Sequence, residues 1–159
     1  MQILRSLLQY AADIVPVSSW KHKLRLLGAT KQETEKMRFG KWGENEAAKY
    51  LEKARGYKVV QRNWFYGNYE LDLVAYYADK IIFVEVKTRR EGPAGTGYHA
   101  VGGKKRHALR KAGSAYLRGL KKVPSRSQFD IVEVIAGSEE QEPSIYHYED
   151  VTLTPRNRN

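Results

Sequence analysis

The 159-residue chain contains no cysteine. That single absence removes disulfide frameworks, thiolate nucleophiles and cysteine-based zinc sites. It fits a reducing compartment, and the cytoplasm is the expected location. No apolar run approaches the length that crosses a bilayer, so no membrane partner is expected. The first residues also lack a signal-peptide core, because Arg5, Ser6, Gln9 and Asp13 interrupt their apolar neighbours. Acidic residues are in deficit: 18 Asp and Glu stand against 28 Lys and Arg, a formal net charge of +10. An excess of this size favours a polyanionic partner, nucleic acid ahead of an anionic membrane surface. No serine-histidine-acid arrangement and no two-histidine metal pattern is evident. His22, His99, His107 and His147 are scattered and read as surface or loop positions. Only His99 is worth testing as an auxiliary group. Gly95-Thr96-Gly97 lacks the lysine and spacing of a nucleotide P-loop.

What the chain does have is centred on Glu70 to Lys87. Two apolar runs flank a polar break at Ala78-Asp79-Lys80, the pattern of two neighbouring strands joined by a tight turn. Asp72, Glu85 and Lys87 interrupt those runs. Alternation puts Glu85 and Lys87 on one face, together with Ile81 and Phe83, opposite Ile82, Val84 and Val86. Both faces are largely apolar, as in a central strand covered on each side by helices. In the preceding strand, alternation groups Glu70, Asp72 and Val74 against Leu71, Leu73 and Ala75.

Around this pair the elements follow in order. Ile3 to Val15 and Trp20 to Leu27 have helical spacing and read as a helical extension, residues 1–37, packed on the domain. Ala29 to Arg38 reads as a linker or exposed helix entry. A helix is predicted over Phe39 to Arg55, with Glu44 on the same inward stripe as Ala48 and Leu51. A helix-end carboxylate interacting with the dipole is the plain alternative for Glu44. Gly56 ends that helix, Tyr57 to Trp64 is the first strand, and strands over Tyr69 to Tyr76 and Ile81 to Thr88 follow. Arg89 to Gly103 is a glycine-rich loop placed to fold over a substrate, or an ordinary surface loop. A second helix spans Lys104 to Leu120, with Lys104, Lys105, Arg106, Arg110 and Lys111 on its basic surface. Strands over Gln128 to Ile135 and Ile145 to Tyr148 complete a domain of residues 38–150, with a tail at 151–159. Asp130 reads as a structural or turn carboxylate.

Buried charges are costly unless they are paired or bind a metal. A hard divalent cation held by carboxylates supplies what phosphodiester hydrolysis needs, an activated water and charge stabilisation at the phosphate. Asp72 and Glu85 are the expected ligands, with Mg²⁺ or Mn²⁺ as the cofactor and Glu44 adding a carboxylate directly or through water. The Val86 carbonyl is a further candidate donor. Lys87 is placed to act on the water or the phosphate. Asp-x(12)-Glu-x-Lys alone is a weak pattern, and a strand-end ion pair is its plain alternative. Arg89, Lys104, Lys105, Arg106, Arg110 and Lys111 are the expected contacts to a nucleic-acid backbone.

Gly40, Gly43-Glu44, Ala47-Ala48-x-Tyr50-Leu51, Gly56-Tyr57, Arg62-Asn63, Glu70-Leu71-Asp72-Leu73-Val74-Ala75 and Val84-Glu85-Val86-Lys87-Thr88-Arg89 resemble the YraN family. Ala100-Val101, Lys105, Tyr116-Leu117 and Phe129-Asp130-Ile131-Val132 extend the match, which covers about Arg38 to Tyr148. That family is similar to the PD-(D/E)xK restriction-endonuclease-like superfamily, archaeal Holliday-junction resolvases above all. The resemblance implies an α/β fold with an αβββαβ core and a central mixed sheet flanked by helices. It implies a metal-dependent DNA endonuclease, acting in branched or recombination and repair DNA, with Glu44, Asp72, Glu85 and Lys87 in the catalytic positions. Resolvases of the superfamily act as dimers, which makes a homodimer an expected partner, although the chain shows no clear dimer seam. Leu71 replaces the proline of the acidic motif, and Tyr69 stands where glycine is common. The competing readings are a nucleic-acid-binding protein of the same fold without catalysis, and a partner-binding protein that uses the N-terminal helices.

Overall fold

In the computed structural model, residues 34–90, 101–137 and 142–153 are described. The predicted N-terminal helices, most of the glycine-rich loop including His99, and the tail from Pro155 lie outside them. Thr34 opens the described chain: its hydroxyl accepts a hydrogen bond from the Met37 N–H at 3.3 Å and caps helix α1, Glu35–Lys53. The helix therefore starts one turn before the apolar stripe that predicts it at Phe39. Capping supplies the reason, since the first turn is exposed and a hydroxyl satisfies one of its free N–H groups. Gly56, at φ +68°, turns the chain so that the Tyr57 N–H donates to the Leu51 carbonyl.

The strands follow as β1 (Lys58–Tyr66), β2 (Tyr69–Tyr77) and β3 (Lys80–Arg89). Helix α2 (Gly103–Arg118) then leads to β4 (Arg126–Ile135) and β5 (Ser144–Tyr148). Chain order is also sheet order, β1-β2-β3-β4-β5. The first three strands and the last pair are antiparallel, whereas β3 and β4 run parallel from Lys80↔Arg126 to Arg89↔Ile135. A parallel pair needs a crossover, and α2 supplies it. The expected α/β architecture with its αβββαβ order is present, with β5 added at the edge.

Two apolar layers enclose the sheet. Ala47, Ala48 and Leu51 of α1 pack with Leu73, Ala75, Ile82, Val84, Val86, Val132 and Val134. Leu109, Ala112, Ala115 and Tyr116 of α2 pack with Leu71, Val74, Ile81, Phe83 and Ile131. Alternation along β3 is as expected. Along β2 it is not: Leu71 lies on the α2 side with Val74 rather than with Leu73 and Ala75. The break falls at Asp72. Beyond Leu73, Val151 and Leu153 are also buried, so the core continues past the predicted end of the domain. Among the described residues, no helix is long and apolar enough to cross a membrane.

Candidate functional site

The break in β2 builds the site. β2 and β3 pair from Tyr77↔Lys80 to Leu73↔Val84, and at the next step a side chain takes over the ladder. The Val86 N–H donates to Asp72 Oδ2 at 2.7 Å. A carboxylate wedged between two strands explains why Leu71 changes layers. It also explains how a charge comes to be 9% exposed inside a sheet.

Glu85 follows on β3 and is 2% exposed. Two ammonium groups reach it. Lys87, on the same face as expected, donates to Oε1 at 2.6 Å. Lys105 Nζ stands 2.8 Å from Oε2 in a second ion pair. Lys105 was expected on the outer basic surface, yet it enters the site. The crossover from β3 to β4 lays α2 on this side of the sheet, and its first turn brings Lys105 within reach of Glu85. Carboxyl ends of strands are where α/β sheets place ligands.

Electrostatics follow the burial. Loss of water, then the nearby Glu85, push the Asp72 carboxyl up to about 8, while Lys105 and the Val86 N–H pull the other way. Burial works against the Lys105 ammonium, but Glu85, Asp72 and Glu70 outweigh it and raise its affinity for the proton. Burial also raises the Glu70 carboxyl, opposed by a hydrogen bond from Asn63 and by Lys105, and reinforced by Glu44 and Glu85.

Glu44 lies on α1 and is half-buried. It accepts a hydrogen bond from Asn63 Nδ2 at 2.8 Å. Asn63 sits in the left-handed region at φ +46° and ties Glu44 to the neighbourhood of Glu70. Among the described residues, no three His, Asp or Glu side chains gather closely enough to hold a metal ion between them.

The other basic candidates divide. Lys104 and Lys111 are exposed and Arg110 is half-buried. Arg106 donates from Nε to the Val101 carbonyl at 2.8 Å and from its guanidinium to the Thr152 carbonyl, which pins the C-terminal segment. Arg89 pairs with Glu133 at 3.2 Å rather than standing free.

Sequence reasoning missed Glu133 and His147. Glu133 is fully buried, stands opposite Lys87 in the β3–β4 register, and accepts from the Tyr148 hydroxyl at 3.5 Å. Its signal was a charge inside the apolar run Ile-Val-Glu-Val-Ile, the same signal that marked Asp72 and Glu85. His147 is a strand residue whose side chain is buried rather than at the surface, with Nε2 2.8 Å from Asp130 Oδ2. Asp130 also accepts from Gln128 Nε2 and from the Asp150 N–H. It is the structural carboxylate expected, and it holds β4, β5 and the following segment together.

Fold and site thus define a mixed-sheet α/β protein with two buried carboxylates and two lysines where its central strands part. The profile of the uncharacterised protein family UPF0102 matches residues 43–134. The chain belongs to this family, the YraN family. A UPF0102 protein of Syntrophomonas wolfei is 43% identical over 96 residues, 60% of this chain and 83% of that protein. One from Phocaeicola vulgatus is 40% identical over 118 residues, 74% of this chain and 93% of the relative. One from Rhodococcus opacus is 40% identical over 111 residues, covering 70% and 92%.

Proposed function

We propose that the protein is a divalent-metal-dependent DNA endonuclease acting at the site of Asp72, Glu85 and Lys87. The observation that carries this reading is the buried carboxylate pair at the parting of β2 and β3, with the Lys87 ammonium 2.6 Å from Glu85. The donors are hard oxygens, which suit Mg²⁺ or Mn²⁺. The Asp72 carboxyl is raised by burial first and by Glu85 second, with Lys105 only partly opposing them, which is a setting that a further cation would relieve. Asp72 and Glu85 would hold the ion, with Glu44 at the edge of the site beside Asn63 and Glu70. A bound ion would activate water and offset charge building on the phosphate. Lys87 orients that water or the phosphate through its ammonium. Lys104, Arg110 and Lys111 on α2 contact the nucleic-acid backbone without reading sequence.

One observation favours a second reading, nucleic-acid binding without cleavage: both oxygens of Glu85 already face ammonium groups. Cleavage of linear, flapped and branched DNA with Mg²⁺ or Mn²⁺ separates the two. The nuclease reading expects Asp72→Ala and Glu85→Ala each to reduce cleavage by about a thousandfold. Equal activity in wild type and Asp72→Ala rejects it. Salt-sensitive binding with no cleavage under either metal selects the second reading.

A further inference from the structure

The first turn of α2 brings the Lys105 ammonium to Glu85. We propose that Lys105 is the resident counter-cation of the site: its ammonium stands against Glu85 where a divalent ion would bind, and an ion enters only as the ammonium leaves. This rests on the reading of Asp72 and Glu85 as metal ligands.

Three observations carry it. First, Glu85 is buried and its Oε2 stands 2.8 Å from Lys105 Nζ. That is the distance of a direct ion pair, and the same carboxylate oxygen is a hard donor suited to a divalent ion. Second, the two lysines on Glu85 are not equivalent. Lys87 is fixed to the same strand and face as Glu85, whereas Lys105 arrives from another element, in the first turn of α2 and two residues after Gly103. A four-carbon stem and a compact ammonium allow Lys105 to withdraw without disturbing the sheet. Third, Lys105 lies in the attractive field of Asp72 and Glu70 as well as Glu85, which is the field that draws a divalent cation. One ammonium supplies a single positive charge to that group, where a divalent ion supplies two.

Calorimetric titration with Mn²⁺ of wild type, Lys105→Met, Lys105→Arg and Asp72→Asn tests the proposal, alongside thermal melts in chelator and in Mn²⁺. Lys105→Met is expected to bind Mn²⁺ about tenfold more tightly than wild type. Lys105→Arg, which keeps the positive charge, is expected to stay near wild type, and Asp72→Asn to lose binding. In chelator Lys105→Met melts below wild type, and it gains more from Mn²⁺ than wild type does. Lys105→Gln repeats the comparison with a neutral polar side chain. A merely structural Lys105 would lower melting equally with and without Mn²⁺ and leave affinity unchanged. That result overturns the proposal while Asp72-dependent binding keeps the metal site. Absence of Asp72-dependent Mn²⁺ uptake in wild type and both neutral Lys105 variants overturns the metal site and this inference together.

Discussion

Asp72 shows how one side chain sets both the chemistry and the stability of the site. Its carboxyl moves from an ordinary value of 3.8 to about 8, first through burial and then through Glu85. Between those values the folded protein keeps a proton that the unfolded chain gives up. The free energy of unfolding therefore falls as pH rises across that window and levels above it. Asp72→Asn removes the titration and keeps an acceptor for the Val86 N–H. In chelator at pH 8 to 9, urea denaturation is expected to find Asp72→Asn more stable than wild type by about 1–3 kcal/mol, with the gap closing toward pH 4. A gap that does not change with pH would show that Asp72 is not proton-linked to folding. At this scale the sequence was informative where a charge interrupts an apolar run, which is how Asp72, Glu85 and Lys87 stand out. It was silent on the route of the Asp72 side chain, because alternation assumes an unbroken ladder and Asp72 itself breaks it.

The placement of α1 on β3 depends on one missing side chain. A Cβ at Gly43 would stand 1.9 Å from Thr88 Oγ1 and 2.7 Å from Thr88 Cγ2. The helix thus approaches the strand more closely than an alanine would permit, and Glu44, the next residue, is carried toward Asn63. Gly43→Ala is expected to cost about 1–3 kcal/mol through overpacking, with Thr88→Ala restoring part of it in the double variant. Equal denaturation midpoints for Gly43→Ala and wild type would mean that α1 shifts away freely. The strands and both helices were legible from their periodicity, and the turns from Gly67-Asn68 and Ala78-Asp79. The first turn of α1 was not, because it contributes little to the apolar stripe. Thr34 caps it, while Arg90 pairs with Glu35 and lies 4.9 Å over the Phe39 ring. The entry of Lys105 was hidden for a different reason. A basic helix surface reads as uniformly solvated until the fold fixes which turn reaches Glu85.

Across the whole molecule, the +10 charge does not act as one surface. Lys105, Arg106 and Arg89 are engaged internally, with Glu85, with the C-terminal segment and with Glu133. Lys104 and Lys111 remain exposed on α2. If these two contact phosphates, replacing both with alanine should weaken DNA binding about equally for all sequences. The slope of log affinity against log salt should become shallower by about 1–2, as fluorescence anisotropy at several salt concentrations would show. An unchanged slope would move the interface elsewhere. The parallel pairing of β3 with β4 also governs how the chain emerges during synthesis. β1 to β3 form an antiparallel meander from local sequence, but one edge of β3 stays bare until residues 126–135 leave the ribosome. At about 5–20 residues per second that interval lasts a few seconds. Throughout it, a strand apolar on both faces from Ile81 to Val84 offers its unpaired N–H and C=O groups to any neighbouring nascent chain. Glu85, Lys87 and Arg89 lie along that edge. Charges at such positions discourage a second copy from pairing with that strand.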